Sequence, residues 1–132
     1  MATILIVDDD EKIRTVLEIF LKSKNHKILS ADNGKSAINV LKKMQQMPDL
    51  IILDVMMPEL DGYSTSRIIR KEITKTIPIL FLTVRDSSND LVTGFDAGGT
   101  EFMTKPFEYE KLEAVIKKLL SSPSSQKRIM RY

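Results

Sequence analysis

Three carboxylates, a hydroxyl and an amine stand in this chain at the ends of apolar runs. Asp8 and Asp9 follow Ile4-Leu5-Ile6-Val7, and Asp54 follows Leu50-Ile51-Ile52-Leu53. Thr83 closes the run over residues 77–82, and Lys105 follows Glu101-Phe102-Met103-Thr104, just ahead of Pro106. Carboxylates brought together repel, and at least one resists ionising without compensation. A hard divalent cation removes that conflict. Mg2+ suits it best, with Mn2+ as a substitute, because it takes one or two carboxylates, keeps several waters and bridges to phosphate oxygens. Asp54 is then the candidate nucleophile, since a carboxylate can attack a phosphoryl group and form an acyl phosphate. Thr83 offers a hydroxyl to one phosphoryl oxygen and Lys105 a compact positive charge to another. Each residue alone is bland: Asp8-Asp9-Asp10-Glu11 also reads as an acidic helix start favoured by the helix dipole. The set, not any member, carries the chemistry.

The elements that must position this set alternate along the chain. Short apolar runs at residues 3–7, 27–31, 50–53, 77–82 and 101–104 read as strands, the longer ones as buried parallel strands. Between them, Ile13, Val16, Leu17, Phe20 and Leu21 form a helical stripe. A second helix opens at Asn33-Gly34 and turns Ala37, Val40, Leu41 and Met44 inward. Pro48-Asp49 breaks it, and after Asp54 a loop runs through Pro58 to Asp61-Gly62, read as a turn before a third helix over 63–73. Ser87 or Ser88 caps a short helix ending near Gly98-Gly99, and a last helix buries Leu112, Val115, Ile116 and Leu119. Five βα units of this length imply an α/β fold, a parallel sheet with helices on both faces. In such sheets ligands bind beyond the carboxyl ends of the strands, so all five polar residues point to one crevice.

Composition narrows the field. A chain of 132 residues holds one core, expected over residues 1–120, with 121–132 a flexible tail or linker to an output domain. Its 42% apolar and 29% charged residues are ordinary for a globular protein. No apolar stretch reaches the roughly 18–20 residues of a membrane span, so no membrane partner is expected. The absence of a secretory signal and of cysteine fits a cytoplasmic protein. A net charge of +2, with Lys127, Arg128 and Arg131 in the tail, gives no argument for nucleic-acid binding.

At these residues the chain resembles a known family. Val7-Asp8-Asp9, the run LDVMMPELDG (53–62), Phe81-Leu82-Thr83 and Thr104-Lys105-Pro106-Phe107 occur in the order and spacing of the receiver domain of two-component response regulators. The resemblance covers about residues 3–120. It implies a flavodoxin-like (βα)5 doubly wound fold, a five-stranded parallel sheet in order 2-1-3-4-5 with five surrounding helices. It implies that Asp54 accepts a phosphoryl group from a sensor histidine kinase or phosphotransfer protein. Asp9 would ligate Mg2+ directly and Asp8 through water, with Asp54 and the backbone carbonyl of Met56 completing the protein ligands. Thr83 and Lys105 would grip the phosphoryl group, and the Lys105–Pro106 bond would be cis, a geometry that costs little only before proline. Phe102 would be the aromatic that follows Thr83 when the site is charged. The face of the fourth helix, fifth strand and last helix would meet the output domain or partner, as a monomer or a phosphorylation-dependent dimer. Such a protein is no enzyme beyond its own phosphorylation and dephosphorylation.

Some positions depart from the common pattern. Val84 replaces a small residue after the threonine, and Gly98-Gly99-Thr100-Glu101 stands where an acidic pair is frequent in dimer-forming DNA-binding regulators. Met56 and Arg85 are expected to line the crevice mouth, His26 to lie in a surface loop, and Met44, Met47, Met56 and Met57 to fill core and loops. Two other classes compete. An aspartyl phosphatase resembling haloacid dehalogenases would want an acid two residues past the nucleophile, where this chain has Met56. A phosphorylation-independent interaction module would have lost an acidic, Thr or Lys position, and none is lost.

Overall fold

The computed structural model describes residues 1–84 and 93–121. Arg85, Ser87, Ser88 and the tail from residue 122, with Lys127, Arg128 and Arg131, lie outside the described residues. The strands are β1 (Thr3–Val7), β2 (Lys27–Ala31), β3 (Leu50–Asp54), β4 (Ile79–Thr83) and β5 (Glu101–Thr104). The helices are α1 (Glu11–Ser23), α2 (Gly34–Lys43), α3 (Gly62–Glu72), α4 (described over 93–96) and α5 (Tyr109–Leu120). All strand pairs are parallel, in the order β2-β1-β3-β4-β5.

Alternation along the strands divides the core. Leu5, Val7, Ile51, Leu53, Ile79 and Phe81 face α2, α3 and α4, packing with Ala37, Leu41, Ile69 and Ala97. Ile4, Ile6, Leu50, Ile52, Leu80 and Leu82 face α1 and α5, packing with Leu17, Leu21, Leu112, Ile116 and Leu119. Because β1, β3 and β4 are covered on both faces, nearly every residue in them is buried and apolar, which is why they read as continuous runs. The edge strands β2 and β5 are only partly buried.

Local chemistry sets the helix starts. Asp10 accepts hydrogen bonds from the Lys12 and Ile13 amides at 2.9 and 3.4 Å, capping α1. Asn33 caps α2 through the Ser36 amide at 2.8 Å, and Asp61 caps α3 through the Ser64 amide at 2.8 Å. The acidic run at 8–11 therefore divides: Asp10 and Glu11 serve the helix, leaving Asp8 and Asp9 to the crevice. The strand expected over 77–82 starts two residues later. Pro78 has no N–H for a ladder, although its carbonyl still accepts from the Ile51 amide at 3.0 Å. Asp54 and Thr83 are the last residues of their strands rather than the first beyond them.

Val16 and Met56 depart from the expected packing, being 44% and 54% exposed, whereas Met44, Met47 and Met57 pack on the α2–α3 side. His26 lies in the α1–β2 loop, and its Nδ1 accepts the Ala2 amide hydrogen at 3.2 Å. Burial, then the nearby N-terminal ammonium, holds the imidazole below its usual 6.5, against the pull of Glu113 and Asp49. A histidine depressed on folding contributes stability above its unfolded pKa, and that contribution is lost as pH falls. Between pH 7.5 and 5.5 the wild type should therefore lose more of its urea midpoint than His26→Ala, all other groups being common to both. Parallel curves would show that the imidazole does not feel the fold.

Candidate functional site

β1 lies between β2 and β3, so the chain leaves the two central strands in opposite directions and opens a crevice at their carboxyl ends. Asp8, directly after β1, and Asp54, closing β3, meet there. Both are buried, at 2% and 6% exposure, while Asp9 is exposed at the rim. Carboxylate oxygens of Asp8, Asp9 and Asp54 lie within 4.8 Å of one another. Lys105 reaches in from the end of β5 and sets its Nζ 2.8 Å from Asp8 Oδ2 and 3.4 Å from Asp54 Oδ1. The Lys105–Pro106 peptide is cis. Four of the five residues singled out from the sequence thus share one pocket.

Asp8 is the best-held member. Its Oδ1 accepts the Asp10 amide at 2.9 Å, its own amide donates to the Ala31 carbonyl at 3.2 Å, and Arg14 Nη1 donates to its carbonyl at 2.7 Å. Arg14 was not legible as a site residue. The only signal is its place one turn past the cap Asp10, whose carbonyl accepts its amide at 3.0 Å, and side-chain periodicity alone does not distinguish that from a solvated cation.

The electrostatics are unbalanced without a cation. Burial first, and the charge of Asp8 second, push Asp54 up from 3.8 to about 6, against the opposing pull of Lys105, with Asp9 adding to the rise. Burial alone would lower Lys105, but its hydrogen bond to Asp8 and the charges of Asp54 and Asp8 hold it above its usual value. One ammonium does not neutralise three carboxylates, and the donor set is all hard oxygen. That set fits a hard divalent cation.

Thr83 and Phe102 are placed by register. Thr83 pairs with Thr104, and Phe81 with Phe102, so all four side chains share the α4 side of the sheet. Thr83 is fully buried, and its carbonyl accepts the Lys105 amide at 2.6 Å. The partly buried Phe102 ring stands 6.2 Å from that of Phe81, which in turn meets Tyr63 edge-on at 5.2 Å. Beyond Asp54 the loop folds back so that the Gly62 amide donates to the Val55 carbonyl at 2.8 Å. Glu59 adopts φ 68° within it, a left-handed conformation costly for a residue with a side chain. Met56 lies in this loop with its side chain outward. Beside Lys105 an apolar groove is lined by Ile13, Val16, Val84, Phe107 and Tyr109.

A five-stranded doubly wound parallel sheet with clustered acids and a lysine at its switch point defines a flavodoxin-like α/β domain with an acidic crevice. The chain belongs to the response regulator receiver domain family, whose profile matches residues 4–117. It is 38% identical over 120 residues to the transcriptional regulatory protein AfsQ1 of Streptomyces coelicolor, spanning 91% of this chain and 52% of that protein. It is 38% identical over 128 residues to the alkaline phosphatase synthesis transcriptional regulatory protein PhoP of Bacillus subtilis, spanning 93% of this chain and 52% of that one. The chain thus spans about half the length of the curated relatives it matches. Among solved structures, the receiver domain of the sensor histidine kinase PA1611 from Pseudomonas aeruginosa, with a magnesium ion coordinated in its active site cleft, superposes with TM-score 0.83. It is 29% identical, covering 92% of this chain and 98% of that one. A response regulator from Chloroflexus aurantiacus gives TM-score 0.84 at 35% identity, covering 92% and 98%. This is a receiver domain of two-component signalling. No described helix is long and apolar enough to cross a membrane.

Proposed function

We propose that Asp54 accepts a phosphoryl group from the phosphohistidine of a sensor kinase or phosphotransfer protein. The observation that carries this reading is the lysine ammonium set between Asp8 and Asp54, with Asp9 within reach of both. An Asp54 oxygen attacks phosphorus as the P–N bond breaks, and the departing imidazole takes up a proton. Bound Mg2+ supplies charge neutralisation for the phosphoryl oxygens. Asp9 and Asp54 would hold the ion directly, Asp8, already held by Lys105 and the Asp10 amide, would act through water, and the Met56 carbonyl would add a further oxygen. Lys105 pairs with the incoming phosphoryl group in place of the Asp54 oxygen it now contacts. The apolar groove beside Lys105 gives a donor protein a surface adjoining the crevice.

Thr83, buried at rest, rotates toward the phosphoryl oxygens, and Phe102 on the same side of the sheet turns into the space vacated. Phosphorylation favours a conformation already present at low population. The α4–β5–α5 face then meets an output partner or domain, or a second copy, without direct nucleic-acid contact by this segment. Residues 121–132 form a tail or linker, and the domain works in the cytoplasm, catalysing no reaction but its own phosphorylation and hydrolysis.

Intact mass after incubation with acetyl phosphate, with and without Mg2+, tests the reading. One base-labile phosphoryl adduct is expected, dependent on Mg2+ and absent from Asp54→Asn. No adduct from acetyl phosphate or from a phosphorylated kinase would leave a phosphate-independent interaction domain.

A further inference from the structure

α3 and α4 are joined where two side chains reach one turn. Ser66, fully buried on α3, donates its hydroxyl to the Ala97 carbonyl at 2.7 Å. One helical turn further, Arg70 donates Nε–H to the Gly98 carbonyl at 2.9 Å and Nη1–H to the Thr74 carbonyl at 3.5 Å. Ala97 and Gly98 form the turn that ends α4. Gly98 has φ +97°, the left-handed conformation that closes many helices, and a Cβ there would strike the Arg70 stem. The guanidinium thus lies at a helix carboxyl end, where carbonyls lack partners and a cation is favoured.

The same turn rests on the aromatic residues beneath it. A Cβ on Gly99 would strike the Phe81 ring, and one on Gly94 would come within 3.2 Å of Phe102 Cδ2. Small residues here let the α4 turn lie directly on the Phe81–Phe102 pair. α3, for its part, begins at the end of the loop that follows Asp54, whose carbonyl borders Gly62. The bonds from Ser66 and Arg70 tie the α4 turn to α3, which begins at the Asp54 loop.

We propose that Ser66 and Arg70 form a latch that fixes the carboxyl end of α4 on α3, holds Phe102 in its resting position and sets how readily the domain responds at Asp54. Its regulatory half rests on the phosphorylation proposed above. Releasing the latch removes one hydrogen bond from a charged donor or one from a buried hydroxyl. Either loosens the turn locally and enlarges the population in which Phe102 can move.

Amide hydrogen exchange on the full chain tests it, with Ser66→Ala, Arg70→Met and Arg70→Lys. In Ser66→Ala and Arg70→Met the amides of Ala97, Gly98 and Gly99 should exchange roughly tenfold faster, while β1 and β3 keep wild-type rates. Arg70→Lys, which keeps a cation, should fall between. With Mg2+ and acetyl phosphate, adduct formation should be severalfold faster in Arg70→Met. Wild-type protection at 97–99, or equal acceleration across the sheet, overturns the latch. Faster local exchange with an unchanged phosphorylation rate overturns its regulatory half. If the wild type forms no adduct, the phosphorylation reading fails, and the exchange pattern still decides whether the latch exists.

Discussion

Replacing Gly62 with alanine is expected to destabilise the domain by about 3 kcal/mol, near the upper end of what overpacking usually costs. A Cβ at this position would press on the Asp54 carbonyl oxygen and lie 2.8 Å from Val55 Cα and 2.9 Å from the Asp54 carbonyl carbon. All three are main-chain atoms at the end of a central strand, so no rotamer change relieves them. The loop must move instead, stretching the 2.8 Å bond from the Gly62 amide to the Val55 carbonyl and tilting the peptide that carries Asp54. Gly34→Ala is the informative control. There the Cβ would meet Thr65 Oγ1 and lie 3.0 Å from Leu60 Cδ2, both side-chain atoms that can turn away. Its cost should be nearer 1 kcal/mol, with loss of the Thr65 hydroxyl's bond to Asp61. Urea midpoints at equal slope measure both, and adduct formation should slow only in Gly62→Ala. Equal losses in the two variants would mean the β3–α3 loop yields as easily as a side chain.

The contrast shows what the sequence could and could not reveal. Asp8, Asp9, Asp54 and Lys105 could be assigned to one crevice because parallel topology puts every strand's carboxyl end on the same edge of the sheet. That inference needs only periodicity and chain direction. Thr83 could be placed at a strand end, but its full burial was not legible. Whether a strand-end hydroxyl is presented or buried depends on the helix covering it, which period-two patterning does not encode. Val16 falls on the apolar stripe of α1 yet is 44% exposed, because the stripe is wider than the surface α1 covers. Ser66 and Arg70 carried no signal, and Arg14 only its place in the first turn of α1. Each acts through a main-chain carbonyl that is brought to it by tertiary packing, and a carbonyl has no residue identity to read. The glycines at 62 and 98 were read as turn punctuation. Their tighter role, room for neighbouring backbone in one case and for an arginine stem in the other, emerges only from the packing.

Asp54→Asn should make the metal-free domain more stable at pH 7.5, by up to about 3 kcal/mol, even as it abolishes the adduct. Burial first, and then Asp8, raise Asp54 from 3.8 to about 6. The folded state therefore holds a proton that the unfolded chain has released, and the corresponding stability is fully present below about 3.8 and lost as pH rises through about 6. Two units at roughly 1.4 kcal/mol each set the upper bound. Asparagine avoids the ionisation cost, occupies the same volume and still offers an oxygen to Lys105 Nζ, now 3.4 Å from Asp54 Oδ1. The gap between variant and wild type should thus widen from pH 4.5 to 7.5, since groups remote from the crevice titrate alike in both. Mg2+ should narrow or reverse it, because a ligand that binds only the folded wild type stabilises it by mass action. Urea titrations at the two pH values, with and without Mg2+, make the full square. A variant less stable than wild type at pH 7.5 without metal would mean that the Lys105 ion pair outweighs burial and repulsion, and that the crevice is balanced before any cation enters.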